Sequence, residues 1–160
     1  MALTNAQYTT LANDIRANTN PTVIAALAIR ADDTIRDWYN TDSATDAWES
    51  AVTRQTLFEA MNIAQFDGIT AGKRDAWGLM LEQAYIKPLD FGRNQLRNAV
   101  RDIWSTAQAD SILQACIRKA TRGELLFGGN VETSGTISAT DLSVEITLTT
   151  GDISKALNEF

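Results

Sequence analysis

Apolar positions over roughly the first four-fifths of the chain recur at helical spacing, and those near its end alternate. Tyr8, Leu11 and Ile15 share one face of a first helix, which Thr4 or Asn5 can cap. Asn18-Thr-Asn-Pro21 ends it and starts a second helix, with proline at a first-turn position. That helix carries Ile24, Leu27, Ala28 and Ala31, and Asp32-Asp33 breaks or kinks it before Ile35, Trp38 and Tyr39. The polar run Asn40-Thr-Asp-Ser-Ala-Thr-Asp46 reads as a loop. Thr53 is a cap for a short helix holding Leu57, Phe58 and Met61. Thr70 caps the next, with Trp77, Met80, Leu81 and Ala84 on its face, and Lys87-Pro88 stops it because the residue before proline avoids the helical region. A helix beginning near Asp90 holds Leu96, Val100, Ile103 and Trp104. From about Ala107 to Phe127 the spacing predicts one long helix with Ile112, Leu113, Cys116, Ile117, Ala120, Glu124 and Leu125 on its face, stopped by Gly128-Gly129.

Beyond the glycines the period changes. Ser143-Val-Glu-Ile-Thr-Leu-Thr149 alternates and is β-branched, which predicts a strand, and Thr133 to Ser138 is a weaker candidate partner. Gly151 to Leu157 reads as a turn or two of helix. A two-stranded hairpin is marginal alone in water, so it must lie on the helices or pair with another chain. The expected fold is therefore mainly α. A helical-bundle body would span residues 1–127, followed by a C-terminal arm over 128–160 with a β-strand or hairpin and a short terminal helix.

Composition narrows the chemistry. The chain has 160 residues, no histidine and one cysteine, with 44% hydrophobic and 21% charged residues. These proportions describe a globular chain of one domain rather than a disordered one. Without histidine there is no Ser-His-Asp or Cys-His machinery, no HExxH zinc helix and no histidine pH switch. The lone Cys116 removes disulfide frameworks and cysteine-rich zinc sites, and its apolar neighbours predict a buried, inert thiol in a reducing compartment. No apolar run approaches the length of a membrane span, and the opening Met1-Ala-Leu-Thr-Asn5 lacks the basic and apolar regions of a signal peptide.

Charge changes the picture by its order. Residues 1–92 hold 7 basic and 12 acidic residues, residues 93–127 hold 6 and 3, and residues 128–160 hold 1 and 5. The formal total of −6 is thus −5, +3 and −4 in succession. Separate acidic and basic faces would favour head-to-tail contacts between copies. Arg93, Arg97 and Arg101 recur every four residues as one helical stripe. Three readings of the stripe stand: a solvated face, a pairing with an acidic neighbouring copy, or contact with nucleic-acid phosphate.

Other candidates are weaker. Asp32, Asp33 and Asp37 cluster, but nothing sets a separation fit for glycosidase carboxylates, and a solvated acidic face is the simpler reading. Asp42-x-Ser-x-x-Asp46 lacks the glycine and terminal glutamate of a calcium loop. Gly68 and Gly72-Lys-Arg74 do not make a phosphate loop. Trp48, after the polar run, is the tryptophan most expected at the surface. No catalytic, metal or cofactor constellation emerges, so a non-enzymatic chain is expected.

Several segments, in order, resemble a family of small phage and prophage proteins encoded between capsid and tail genes. They are Leu3-Thr-Asn-Ala-Gln-Tyr-Thr-Thr-Leu11 with Asp14-Ile15, Trp38-Tyr-Asn40, Ala47-Trp-Glu-Ser-Ala-Val-Thr-Arg-Gln-Thr-Leu57 and Arg74-Asp-Ala-Trp77. Next come Asn94-Gln-Leu-Arg97, Ile103-Trp-Ser105, Arg118-Lys-Ala-Thr-Arg122 with Glu124-Leu-Leu-Phe127-Gly-Gly129, and Gly151-Asp-Ile-Ser-Lys-Ala-Leu157. The chain departs from the pattern in lacking a proline in Gly129 to Gly135 and in a shortened N-terminal third.

The resemblance implies a structural protein of the virion, made in the host cytoplasm and placed at the head–tail junction. Its station would be a connector or adaptor ring beneath the portal protein. Its partners would be the portal, further copies of itself (twelve if it follows the portal), downstream tail or nozzle proteins, and passing genomic DNA without sequence preference. No membrane partner is expected. In that setting Arg93, Arg97 and Arg101 would face a neighbouring subunit or the channel. Val144, Ile146, Leu148, Ile153, Leu157 and Phe160 would dock the arm on the portal or the adjacent copy. The alternatives are another neck or tail part, such as a tail terminator or head stopper, or a small regulatory or nucleic-acid-binding protein.

Overall fold

The computed structural model describes residues 2–160. Helices α1 (Asn5–Ala17), α2 (Pro21–Ala28) and α3 (Asp32–Asn40) lead into strand β1 (Asp42–Trp48). Helices α4 (Arg54–Ala60), α5 (Ile63–Gly68), α6 (Ala71–Ile86), α7 (Asn94–Ile103) and α8 (Thr106–Gln114) follow. The chain then forms β2 (Ile117–Thr121), α9 (Arg122–Leu126), β3 (Gly129–Ser134), β4 (Ile137–Leu142) and α10 (Thr150–Glu159). The strands make one mixed sheet in the order β2-β1-β4-β3, with β1 parallel to β4 and Ala47 opposite Thr140. This is an α/β fold, and it corrects the expectation of a mainly α bundle carrying a hairpin arm.

Three local events make the difference. The expected long helix stops at Gln114, where the Ala115 and Cys116 amides donate back to the Ile112 and Leu113 carbonyls. The chain then extends as β2. Thr121 closes that strand and opens α9 with a capping box: its hydroxyl accepts from the Glu124 amide at 3.2 Å, and the Glu124 carboxylate accepts from the Thr121 amide at 2.8 Å. Second, the polar run after Asn40 is a strand, not a loop. Only Ala47 and Trp48 of β1 are buried, so the pairing of its backbone with β2 and β4, rather than apolar alternation, defines it.

Third, Ser143–Thr149 forms no strand, although it has the clearest alternation in the chain. Asn40 takes the place of a neighbouring strand there. Its amide donates to the Leu148 carbonyl at 2.8 Å and accepts from the Leu148 amide at 2.9 Å. Thr149 then caps α10 through a second capping box with Asp152. The paired β3 and β4 lie earlier, over the segment expected to be the weaker candidate, and turn through Gly135 at φ +61°.

The chain divides into two compact units, each with its own core and each drawing residues from both sides of Phe127. Unit 1 comprises Met1–Ala44, Lys119–Asn130 and Leu142–Phe160. Leu11, Ile15, Val23, Ile35, Leu148 and Ile153 fill its centre. The Tyr8 hydroxyl donates to Asp152 at 2.7 Å, tying α1 to α10, and the Tyr39 hydroxyl donates to Asp14, tying α3 to α1. Unit 2 comprises Thr45–Arg118 and Val131–Asp141. Its core contains Leu57, Trp77, Phe91, Val100, Ile112 and Leu113, with Trp77 edge-on to Trp104 at 5.2 Å. An antiparallel bridge between Val52 and Leu89 closes one side of that core.

Candidate functional site

The arginine stripe does not form a single face. Arg93 precedes α7 and is 72% exposed, and its guanidinium meets Asp90 at 3.2 Å as a surface pair. Arg97, one turn on, is fully buried. Its guanidinium donates to the carbonyls of Phe91 and Gly92, each at 2.6 Å, lies 4.8 Å from the Trp48 ring and stands 3.6 Å from Glu132. Burial pulls its proton affinity down, while Glu132, Asp141 and Asp90 push it back up. Arg101 pairs with Asp110 and donates to the Ser134 carbonyl at the end of β3. Asp110 is held below the usual carboxylate range by the hydrogen bond from Thr136 and then by Arg101. Within unit 2, Arg97 therefore fixes the irregular backbone at Phe91–Gly92 and Arg101 fixes the end of β3.

Beside Arg97, Gly92 lies against two carboxylates. A side-chain carbon at that position would stand 2.6 Å from a carboxylate oxygen of Asp141 and 3.0 Å from one of Asp90. Asp141 itself is raised, chiefly by burial, with Arg97 working against that shift.

The residues expected to form a docking arm line the core of unit 1. Leu148, Ile153 and Leu157 are buried, Ile146 and Phe160 pack against them, and Val144 is half-buried. Phe160 stacks on Tyr8 at 5.5 Å between ring centres, and Lys155 lies 4.6 Å from the same ring. The hydrogen bond to Asp152 pushes the Tyr8 hydroxyl up to about 12, with burial adding to it. Asp152 sits below its usual range. Burial alone would raise it, but hydrogen bonds from Thr149 and Tyr8, together with Lys155, outweigh that cost. Tyr39 is raised further still, mostly by burial and then by Asp14.

The remaining sequence candidates are structural. Trp48, expected at the surface, is buried, and its indole N–H donates to the Glu132 carbonyl at 3.2 Å. Cys116 is buried, and desolvation pushes its thiol up to about 12, as expected for an inert group. Asp32 and Asp37 form ion pairs with Arg30 and Arg36, while Asp33 is exposed. Among the described residues no group of three or more histidine, cysteine or acidic side chains could hold a metal ion, and no helix is long and apolar enough to cross a membrane.

Folding also redistributes the charge. Unit 1 contains 6 basic and 9 acidic residues and unit 2 contains 8 and 11, so each carries −3. The −5, +3, −4 order along the chain does not become an acidic body and a basic one.

What periodicity did not pick out is apolar surface. In unit 2, Leu79 is 61% exposed and Ile86 71% on α6, with Tyr85 beside them and Phe58 on α4. The C-terminal end of α6 stands between two open grooves. One, of about 810 Å³, has Leu79, Met80, Leu89 and Leu96 along it and Lys87 and Arg93 at its edge. The other, of about 600 Å³, lies between Phe58, Ala84 and Tyr85, where Arg54 sits 5.7 Å from the Tyr85 ring. In unit 1, α2 reads Pro-Thr-Val-Ile-Ala-Ala-Leu-Ala, apolar almost all round, yet only Val23 and Ala26 are buried. A helix of that composition is ordinarily covered on every side. The signal was present in the sequence as apolar residues in excess of one helical stripe, in both α2 and α6.

Neither a family model, nor a curated protein, nor a solved structure matches this chain.

Proposed function

We propose that this chain is a structural protein of a phage virion, an adaptor that forms a ring beneath the portal and joins head to tail. The observation that carries the reading is the bare apolar surface just described, on two elements that a solitary protein would cover. Such a surface belongs to a chain whose work is contact with neighbours. The resemblance of its segments to proteins encoded between capsid and tail genes supplies the setting. A non-enzymatic role and a place in the virion neck belong to the same proposal.

The arrangement of charge favours protein neighbours over DNA. Arg97 and Arg101 are engaged within the chain, and both units carry −3, so phosphate would be repelled over most of the surface. Portal docking is assigned to the second groove, at Phe58 and Tyr85, rather than to residues 128–160, because Leu148, Ile153 and Leu157 hold the core of unit 1. The test is the native mass of the full chain alone and mixed with a portal ring from the same gene cluster. A stoichiometric ring on the portal, twelve copies if it follows portal symmetry, supports the proposal. A chain that ignores the portal and binds tail-tube protein makes it a terminator instead, and one that ignores both overturns it.

A further inference from the structure

Each unit has its own bare apolar surface. On unit 1 the bare face of α2 ends at a turned helix corner. Ile29, which follows α2, is 78% exposed, and Ile24, five residues earlier, is 53% exposed. The corner is formed by Arg30 in the left-handed region at φ +58°, with the Ala31 amide donating to the Ala26 carbonyl and the Arg30 amide to the Leu27 carbonyl. That is the helix ending at which glycine is usual. A non-glycine residue is disfavoured there, and Arg30 is held in place by Asn158 at 2.9 Å. On unit 2 the larger groove beside α6 is concave, with Leu79 along it.

Charge pairs the same two features. Asp33, just past the corner, is exposed, and along the groove Arg93 is paired with Asp90, which leaves the charge of Lys87. Asp33 and Lys87 have no ion-pair partner among the described residues. We propose that copies of this chain join head to tail, with the α2 corner of one copy seated in the α6 groove of the next and Asp33 meeting Lys87. The two surfaces are different patches of one chain. The contact is therefore heterologous, and its repetition gives a closed ring or an open filament rather than a two-fold dimer. The proposal rests on the adaptor reading only for the ring's place in the virion, not for the contact itself.

Ile29 and Leu79 are both exposed, so replacing them leaves the two cores untouched. The chain's only native thiol, Cys116, is buried. A full chain carrying both Ile29→Cys and Leu79→Cys, treated with a short bifunctional thiol reagent with and without portal, should give a ladder of multimers. The two single variants mixed in equal amounts should give dimers and nothing larger, and each alone should stay uncrosslinked. Asp33→Lys should reduce the ladder at least ten-fold, and adding Lys87→Glu to the same chain should restore it. Crosslinking of Ile29→Cys with itself as strong as in the mixture overturns the proposal, as does the absence of a ladder under both conditions. A ladder from a chain that ignores the portal leaves the contact standing and removes the adaptor reading. Portal capture without a ladder does the reverse.

Discussion

The two units are pinned by different chemistry. Unit 1 gathers three distant stretches of chain and ties its helices with titratable side chains, Tyr8 to Asp152 and Tyr39 to Asp14, plus the Asn40 amide on Leu148. Unit 2 is nearly continuous and ties its backbone with arginines, Arg97 on Phe91 and Gly92 and Arg101 on Ser134. A guanidinium stays charged across the working pH range and offers several donors to carbonyls that have left a helix or strand. A tyrosine–carboxylate pair suits two regular helices, where only one point of contact is required, but it titrates at both ends of the pH scale. Unit 1 also has arginines on carbonyls, Arg16 on Leu157 and Arg122 on Trp38, but those carbonyls belong to helices. The contrast therefore lies in what is held: helix against helix in one unit, the Phe91–Gly92 loop against the core in the other.

The largest predicted effect tests the arginine side of that contrast. Arg97→Ala should destabilise unit 2 by about 2–5 kcal/mol, because it leaves the Phe91 and Gly92 carbonyls without their donor and empties the space beside Trp48. Cys116 lies in the same core, so its reaction with a thiol reagent should quicken in step. Leu148→Ala should cost about 2–5 kcal/mol in unit 1 and leave the protection of Cys116 largely intact below the melt. If both variants instead lower a single transition and expose Cys116 alike, the units do not open separately. Gly92→Ala should cost no more than about 1 kcal/mol, since the Asp141 and Asp90 carboxylates that it crowds can turn toward solvent, read by the same thiol assay.

An effect of similar size sharpens the tyrosine side. Tyr8→Phe should cost about 1 kcal/mol in unit 1, seen as a lower denaturation midpoint. The Tyr8 pKa is raised from 10 to about 12, so its contribution is complete below pH 10 and is lost as pH rises through about 12. Asp152 is depressed, so its contribution is present above its ordinary value of 3.8 and is lost as pH falls through its lower folded value. The phenylalanine variant should therefore lose the alkaline part of that dependence while keeping the Thr149 cap on Asp152. At the bottom of the scale, Arg93→Ala should change stability by no more than about 0.5 kcal/mol in a denaturant titration, since its pair with Asp90 is exposed.

The helices around Tyr8, Leu57, Trp77 and Val100 were legible because caps and a 3.6-residue period coincide there. The sheet was not. The short β2 has apolar positions that fit a helix as well as a strand, and only the Thr121-x-x-Glu124 box marks the break. The strand β1 owes its shape to neighbours supplied from far along the chain, which local patterning cannot see. Ser143–Thr149 misled for the opposite reason: its alternation is real, but Asn40 from a helix end satisfies the backbone that a strand would have satisfied. The regular spacing of the arginines was visible while their fates were not, because the loop at Phe91–Gly92 and the β3–β4 turn decide which of them is covered. The bare apolar faces were legible in principle as apolar residues beyond what one stripe can bury.

The position of α10 in the chain has a consequence for synthesis. Every residue of unit 2 lies between residues 45 and 141, whereas the core of unit 1 is completed by Ile153 and Ala156. On the ribosome unit 2 is therefore whole before unit 1 can close, and α1, α2 and α3 emerge early and wait. Their apolar side chains, the nearly all-apolar α2 foremost, stay uncovered until that last segment arrives, and the wait lengthens with every pause between codons 45 and 150.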